Sequence, residues 1–196
     1  MQNRNFQREL DALIAENEKR GRVPRLLLHS CCAPCSSYCL EYLARYFEIT
    51  LLYYNPNITD AEEFSKRAAE LRRLVDEMPL EGRVSVVIEE YDPESFYAAA
   101  KGLENVPEGG ERCFRCYRLR LEHAAKYAAE HGFDYFCTTL SISPLKNSAK
   151  LNEIGAELSE IYKTPWLPSD FKKRGGYQRS IALSREYDLY RQNYCG

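Results

Sequence analysis

The stretch LLLHSCCAPCSSYCLEYLARYF, residues 26–47, decides the fold of this chain. Its first five residues, LLLHS, form an apolar run of the length expected for a short buried strand. In the part that follows, Tyr38, Leu43 and Phe47 recur at intervals that suit a helix. We therefore predict a strand, a cysteine-bearing turn and then a helix.

The same alternation of strand and helix is repeated along the chain. Further apolar runs of strand length, each followed by helical spacing, lie at residues 49–57, 84–91 and 135–144. The helix after the first of these runs shows a capping pattern, with Thr59 three residues before Glu62. Strands that alternate with helices favour right-handed crossovers, so we predict an α/β fold with a mostly parallel sheet flanked by helices.

The length of 196 residues is typical of one domain. We expect a single α/β domain over residues 1–196, with an N-terminal helix in 1–24 and a core in 25–150. The part from 151–196 should be mainly helical, and its Tyr-rich and Arg-rich end at 184–196 should form the last helix.

Composition excludes several classes of protein. The formal charge of −2 and the pI near 6.0 give no overall attraction to phosphate backbones, so any nucleic-acid contact needs a local basic patch. The sequence shows no secretory signal and no apolar stretch of about 20 residues, and we expect a cytoplasmic protein. Eight cysteines in a reducing compartment indicate metal or redox chemistry rather than disulfides.

Two groups of cysteines supply a set of thiolates. Cys31 and Cys32 are adjacent at the predicted strand-to-helix turn, where the positive end of a helix stabilises thiolate. Cys113 and Cys116 form a CxxC motif among arginines near another predicted helix start. Four thiolates are the full complement of a four-iron cluster or of a tetrahedral zinc ion. The vicinal pair favours the cluster, because zinc sites usually space paired ligands by two residues.

The remaining cysteines leave alternatives open. The sequence from Cys32 to Cys35 also resembles a thioredoxin-type redox pair, so a thiol-disulfide oxidoreductase is one rival, and a zinc-stabilised RNA-binding module is another. Cys39 and Cys137 lie in apolar contexts and are predicted to be core residues. Cys195 is either a redox-active thiol or part of a frayed end.

Short polar residues lie at the carboxyl ends of the predicted strands, where ligands bind in open parallel sheets. They are suited to orienting a sugar-like ring, although ordinary turn chemistry explains them equally well. The candidate substrate-binding residues are Asn55, Asn57, Thr138, Thr139 and Ser141. Asp92 follows a further strand, whereas His29, within a buried strand, is expected to be a core histidine.

Several motifs together resemble the cobalamin-independent, iron-sulfur epoxyqueuosine reductases of the QueH type. The resemblance covers nearly the whole chain, and the motifs occur in the order and spacing of that family. They are LLLHSCCAPCS at 26–36, YYNPNI at 53–58, EGGERCFRCYRLRLEHAA at 108–125, TTLSISPLKN at 138–147 and NEIG at 152–155.

The resemblance implies a fold similar to the nucleotide-binding α-hydrolase and PP-loop proteins, with a cysteine-bearing turn in place of the phosphate turn. It implies reduction of epoxyqueuosine to queuosine at the wobble position of tRNA, the last step of queuosine biosynthesis. Cys31, Cys32, Cys113 and Cys116 match the ligands of a 4Fe-4S cluster. A second, mononuclear metal, taken as iron, would lie beside it, with Asp92 and Cys35 as candidate ligands, and the electron donor is unknown.

The tail departs from the family pattern, which ends in a redox-active Cys-Gly-Cys. Here the sequence carries Cys195 and Gly196, so either the chain is cut short or electrons reach the site without that pair. We take Cys195 and Asp92 as candidate catalytic residues. The candidate tRNA contacts, which are equally well explained as solvated surface, are Lys146, Lys150, Lys172, Lys173, Arg174, Arg185 and Arg191.

Overall fold

Four parallel strands form the sheet in a computed structural model that describes residues 4–192, 194 and 195. The strands are β1 (Arg25–His29), β2 (Glu48–Tyr53), β3 (Val84–Ile88) and β4 (Tyr135–Thr138). Their order in the sheet is β3-β2-β1-β4, and every pairing is parallel. The predicted α/β class with a parallel sheet is confirmed.

Seven α-helices flank this sheet in the described part of the chain. They are α1 (Phe6–Lys19), α2 (Ala33–Leu43), α3 (Ala61–Glu77), α4 (Pro93–Ala100), α5 (Glu111–Glu130), α6 (Ser148–Tyr162) and α7 (Gly176–Glu186). Helix α2 packs against α3 and α7, and α5 packs against α4 and α6. None of the helices described is long and apolar enough to cross a membrane.

The central position of β1 follows from its sequence. Leu26, Leu27 and Leu28 are all fully buried, which requires cover on both faces of the sheet, as is usual for parallel strands. Neighbours on both edges, β2 and β4, satisfy the backbone hydrogen bonds of the strand. The turn that follows β1 therefore leaves from the interior of the sheet.

The predicted strand at residues 135–144 is too long. Strand β4 ends at Thr138, and residues Thr139–Ile142 form a 3-10 turn. The Thr138 hydroxyl accepts a hydrogen bond from the backbone N–H of Leu140 at 3.2 Å, which favours the turn over further extension. The spacing of apolar residues does not reveal such a bond between a hydroxyl side chain and the backbone, so it predicts a strand that is longer than the observed one.

Two other local predictions are wrong. Helix α3 is capped by Asp60, whose carboxylate accepts the backbone N–H of Glu63 at 2.7 Å, and not by Thr59. The predicted last helix at 184–196 does not form in the described residues after Glu186: α7 ends there, and Asp188 adopts a positive φ of 45° that ends the helical path. Residues 193 and 196 lie outside the described residues.

Gly176 opens α7 where the helix meets α2. A Cβ atom there would lie 2.0 Å from the carbonyl oxygen of Phe171 and 2.4 Å from the ring of Tyr38. Glycine is therefore required by close approach, because neither backbone nor a packed ring can move aside cheaply.

We expect Gly176→Ala to lower the free energy of unfolding by about 1–3 kcal/mol, since the added methyl overpacks the contact. Alanine normally stabilises a helix relative to glycine by up to about 1 kcal/mol. A lower free energy of unfolding in the alanine variant would therefore identify the steric contact as the cause. Denaturant unfolding measures the change. Gln178→Ala, on the exposed side of the same helix, is the control, and equal stability of wild type and Gly176→Ala would contradict the packing described.

Candidate cysteine metal centre

A tightly bonded turn carries the first cysteine group. Cys32 is the N-cap residue of α2, with extended backbone, and Pro34 lies in the first turn of that helix, where its missing N–H is not needed. The hydroxyl of Ser36 donates to the carbonyl oxygen of Cys32 at 2.9 Å and lies 2.7 Å from the hydroxyl of Ser30. These two contacts of Ser36 join the start of the turn, at Ser30, to the first turn of α2.

His29, directly before this turn, is fully buried and joins three strand ends. Its Nδ1 lies 2.8 Å from the hydroxyl of Thr138, and its Nε2 lies 3.1 Å from the carbonyl oxygen of Tyr54. Burial, together with the charge of Arg120, lowers the pKa of His29 to about 3. The expectation that His29 is a core histidine is confirmed.

Three thiols converge at the turn. The Sγ atoms of Cys31, Cys32 and Cys35 all lie within 4.8 Å of one another, and those of Cys31 and Cys32 are 3.8 Å apart. All three are free thiols, and Cys32 is the most buried. The geometry suits a soft metal, because three sulfur atoms surround one point.

Negative charge in this group concentrates on Cys32. Hydrogen bonds from Cys31 and Cys35 hold the pKa of the Cys32 thiol well below its usual range. The same hydrogen bond to Cys32 raises the pKa of Cys31 to about 11, and hydrogen bonds to both neighbours raise the pKa of Cys35. Of the three cysteines, Cys32 is therefore the one that favours the thiolate form. A bound metal would bring the other two into the deprotonated form as well.

The second cysteine pair lies at the start of α5, as predicted. The Sγ of Cys113 accepts the backbone N–H of Gly109 at 3.3 Å. Cys116 is buried, and desolvation raises its pKa, whereas the positive charge of Arg120 lowers it. Neither residue belongs to the group of three thiols, so it is Cys35 that the structure places beside the vicinal pair.

A chain of hydrogen bonds links the two cysteine groups. The Nη1 of Arg120 donates to Oδ1 of Asn55 at 3.4 Å, and Nδ2 of Asn55 donates to the carbonyl oxygen of Ser30 at 2.8 Å. Burial works to lower the pKa of Arg120, but Coulombic interactions with Cys116, Cys195 and Cys31 outweigh burial and raise the pKa. The buried guanidinium thus lies within the electrostatic reach of both groups.

The donor set fits an iron-sulfur cluster in its chemistry. Soft thiolate sulfur is what such clusters bind, and both cysteine groups lie at helix N-termini, which favour negative charge. A four-iron cluster attaches each cysteine to a different iron, so its ligands need not surround a single point. The three thiols at the cysteine turn and the pair on α5 supply more than the four sulfur ligands that such a cluster takes.

A cavity of about 300 Å³ opens over the three thiols and is also lined by Cys195, whose side chain is exposed. Three cationic side chains line it as well: Arg67, Lys146 and Arg191. Burial lowers the pKa of Lys146, but Cys195 and Glu108 outweigh burial, so its net pKa is raised. The cavity is a thiol-lined space with a positively charged wall.

None of the predicted substrate-binding residues is among the described residues that line this cavity, and most of them have their polar groups bonded to protein. The hydroxyl of Thr139 accepts the backbone N–H of Cys31 at 3.3 Å, that of Ser141 accepts the N–H of Phe171 at 3.2 Å, and Asn55 and Thr138 are bonded as described above. Thr138, Thr139 and Ser141 are fully buried. These side chains shape the site around the cysteine turn.

Asn57 and Asp92 have different surroundings. The Nδ2 of Asn57 donates to the carbonyl oxygen of Cys195 at 3.1 Å, and its buried Oδ1 has no partner among the described residues. Asp92 is the N-cap of α4, where its carboxylate accepts the N–H of Ser95 at 3.2 Å. Asp92 is absent from the described lining of the cavity and from the group of three thiols.

Sequence reasoning missed Arg67 and Arg120 as site residues. Both lie on the buried side of an amphipathic helix, near Leu71 in α3 and near Leu121 in α5. The sequence signal for them is an arginine on the apolar face of a helix. Because a buried charge requires a partner, such a residue indicates a polar or charged site nearby.

The fold and the site define an α/β protein with a thiolate-rich ligand site at the carboxyl edge of a parallel sheet. The family model described as epoxyqueuosine reductase QueH matches residues 26–196. The chain belongs to this family of oxidoreductases.

Relatives that carry the same description support this assignment. The epoxyqueuosine reductase QueH of Staphylococcus epidermidis is 44% identical over 98% of this chain and 82% of that protein. The protein of the same description from Streptococcus pyogenes serotype M1 is 42% identical over 98% of this chain and 76% of its own length. That from Thermotoga maritima is 36% identical over 87% of each chain.

Alkylation of the native protein should separate the accessible cysteines from the core cysteines. We expect Cys195 to be modified first, and Cys39 and Cys137 to stay unmodified, because both are fully buried and burial raises the pKa of Cys137 to about 12. Peptide mass spectrometry after iodoacetamide treatment near neutral pH measures this order. Denatured protein, in which every thiol reacts, is the control, and early labelling of Cys137 would contradict the assignment.

Proposed function

We propose that this protein reduces epoxyqueuosine in tRNA to queuosine, in the last step of queuosine biosynthesis, in the cytoplasm. The observation that carries the proposal is the group of three thiols under a cavity, in a chain of the QueH family. Removal of an epoxide oxygen as water takes up two electrons and two protons and leaves a carbon-carbon double bond. A thiolate-bound redox metal is the kind of centre that delivers such electrons.

The proposed cofactors are a 4Fe-4S cluster and a second, mononuclear metal, taken as iron. Cys31, Cys32, Cys113 and Cys116 are the proposed cluster ligands. Cys35 is the proposed ligand of the second metal, since its sulfur lies beside the vicinal pair. When bound, the metals would supply electrons and a Lewis acid for the epoxide oxygen. Asp92 stays a proposed catalytic residue, although its carboxylate caps α4 here.

Lys146 is the residue best placed to balance charge in the cavity. It lines the cavity and bonds to Glu108 at 3.1 Å, and its raised pKa keeps the ammonium protonated at neutral pH. We assign it to neutralise the negative charge that develops on the epoxide oxygen as the C–O bond breaks. Cys195 lines the same space and is the proposed redox-active thiol.

The proposed ring-binding residues remain Asn55, Asn57, Thr138, Thr139 and Ser141. Among them, Asn57 has the strongest support, because its Oδ1 is buried without a partner in the described part of the chain. The others support the ring site through the cysteine turn, to which Asn55 and Thr139 are hydrogen-bonded.

The proposed macromolecular partner is tRNA that carries epoxyqueuosine at the wobble position. Leu145 and Tyr194 line the cavity and are exposed, which suits stacking against the bases next to an extruded nucleotide. The basic candidates away from the cavity are partly paired, Lys150 with Glu153 and Lys172 with Asp170. Lys146 is paired as well, with Glu108, but Lys146 and Arg191 line the cavity and are the stronger proposed contacts for that reason.

A second candidate function is thiol-disulfide exchange at Cys32 and Cys35. The lowered pKa of Cys32 and the nearness of the Cys35 sulfur favour it, because exchange begins with attack by a thiolate. The two functions differ in their need for iron. Exchange would persist in iron-free protein, whereas reduction of the epoxide would not.

The deciding experiment uses anaerobically purified protein, a chemical reductant and tRNA that contains epoxyqueuosine. We expect brown protein with about four or more irons per chain and conversion of epoxyqueuosine to queuosine, measured by mass spectrometry of the nucleosides. Colourless protein that holds zinc and leaves the nucleoside unchanged would exclude the proposal.

Cys113→Ala and Cys116→Ala should each lose most of the cluster iron and all detectable epoxide reduction, because a ligand is removed. Cys137→Ala is the matched control, since that thiol is fully buried and its nearest polar contacts are the Leu167 carbonyl and the Ser169 hydroxyl. Its iron content should stay close to that of wild type. If Cys137→Ala lost as much iron as the two ligand variants, the assignment of Cys113 and Cys116 as ligands and of Cys137 as a core residue would be wrong.

Lys146→Gln should lower turnover by about 10²-fold or more, because the positive charge next to the developing oxyanion is lost. Lys150→Gln removes a lysine four residues further along the chain that is paired with Glu153, and it should retain most of the activity. Single-turnover rates of nucleoside conversion measure both effects. Similar rates for the two variants would remove Lys146 from the proposed mechanism.

A further inference from the structure

The chain after α7 lies along helix α3. At its near end, Nη2 of Arg73 donates to the carbonyl oxygens of Tyr187 at 2.9 Å and Asp188 at 3.2 Å. The carboxylate of Glu70 then accepts the backbone N–H of Tyr190 at 2.7 Å. These contacts tie the backbone of the segment to one helix through charged groups.

The side chain of Tyr190 is held by the same helix. Its hydroxyl lies 3.1 Å from both carboxylate oxygens of Glu63, and Nζ of Lys66 lies 3.5 Å from the centroid of its ring. A hydrogen bond and a cation–π contact therefore fix the residue from two directions.

Arg67 holds the far end of this segment, at Cys195, whose thiol lines the cavity. Its Nε donates to Glu63 at 2.6 Å, and its Nη1 donates to the carbonyl oxygen of Cys195 at 3.1 Å. That carbonyl also accepts Nδ2 of Asn57 at 3.1 Å, and the ring of Tyr194 lies 4.9 Å from the guanidinium carbon of Arg67. One side chain thus connects α3 to the cysteine carbonyl.

The guanidinium of Arg67 is 2% exposed, which makes this connection strong. Burial works to lower the pKa of Arg67, but the hydrogen bond and charge of Glu63 outweigh it, so the group stays charged. The planar guanidinium donates to Glu63 and to the Cys195 carbonyl through different nitrogen atoms. A lysine ammonium is a compact point charge and does not reproduce this geometry. Because a buried charged group that loses a hydrogen-bond partner is destabilised, breaking the bond from Arg67 to the Cys195 carbonyl is unfavourable.

We propose that Arg67 is a positioning residue that clamps Tyr194 and Cys195 onto α3 and thereby fixes the Cys195 thiol at the cavity of Cys31, Cys32 and Cys35. Glu63 orients the guanidinium, and Asn57 completes the pair of donors on the Cys195 carbonyl. The clamp itself is independent of the proposed function, and its effect on turnover rests on that function.

Hydrogen-deuterium exchange of the peptide that covers residues 187–195 tests the clamp in the full-length protein. Arg67→Lys and the charge-balanced double variant Glu63→Gln/Arg67→Met should raise exchange in this peptide about tenfold or more, with β1 peptides unchanged. Arg72→Met, on the exposed side of the same helix, is the control and should match wild type. Unchanged tail exchange in folded Arg67 variants would overturn the clamp.

Turnover tests whether Arg67 acts through Cys195. Arg67→Lys should lower kcat for nucleoside conversion about tenfold with little change in KM, because the thiol is displaced and not removed. In a Cys195→Ser background, the same substitution should have no further effect, since the thiol that it positions is gone. Additive effects would overturn the positioning role. If wild type converts no substrate, the proposed function fails while the exchange result still decides the clamp.

Discussion

The imidazole of His29 is the interaction on which the site depends, because it joins β1, β2 and β4 at the edge where the cysteine turn begins. The Tyr54 carbonyl can only accept, so Nε2 carries the proton and Nδ1 accepts from the Thr138 hydroxyl. That hydroxyl in turn accepts the N–H of Leu140. Every polar atom in this buried network has a partner, and the pKa of about 3 keeps the ring neutral.

Two buried arginines shape the charge of the site above that edge. Arg67 and Arg120 are 2% and 1% exposed, which no apolar packing argument explains, since burial of an unpaired cation is strongly unfavourable. Each is near sulfur and has an oxygen partner, Glu63 for Arg67 and Asn55 for Arg120. Guanidinium suits this role better than ammonium, because it is always charged and donates in several directions. A centre rich in thiolate would in turn supply the compensating negative charge.

The sequence was sufficient for the parallel sheet, the cysteine turn at the end of β1 and the second pair at the start of α5, because apolar runs and helix spacing determine these locally. It was insufficient where one short side chain decided the backbone path, as Thr138 does at the end of β4. It also left out Arg67, since the backbone carbonyl that its guanidinium reaches belongs to Cys195, far away in sequence. Periodicity identifies which face of a helix is buried, but not what a lone charge on that face meets.

The two cysteine groups differ in how firmly the fold holds them. The turn of Cys31 and Cys32 leaves an interior strand and is bonded at both ends, so its sulfur atoms have little freedom. The pair on α5 follows the segment 101–110, which is largely exposed and contains Gly102 and Gly109 at positive φ. Fewer packing contacts constrain such a segment, so the start of α5 is the part that can adjust to a bound cluster. A cluster that bridges both groups would then tie distant segments together, and metal binding would add to the stability of the fold.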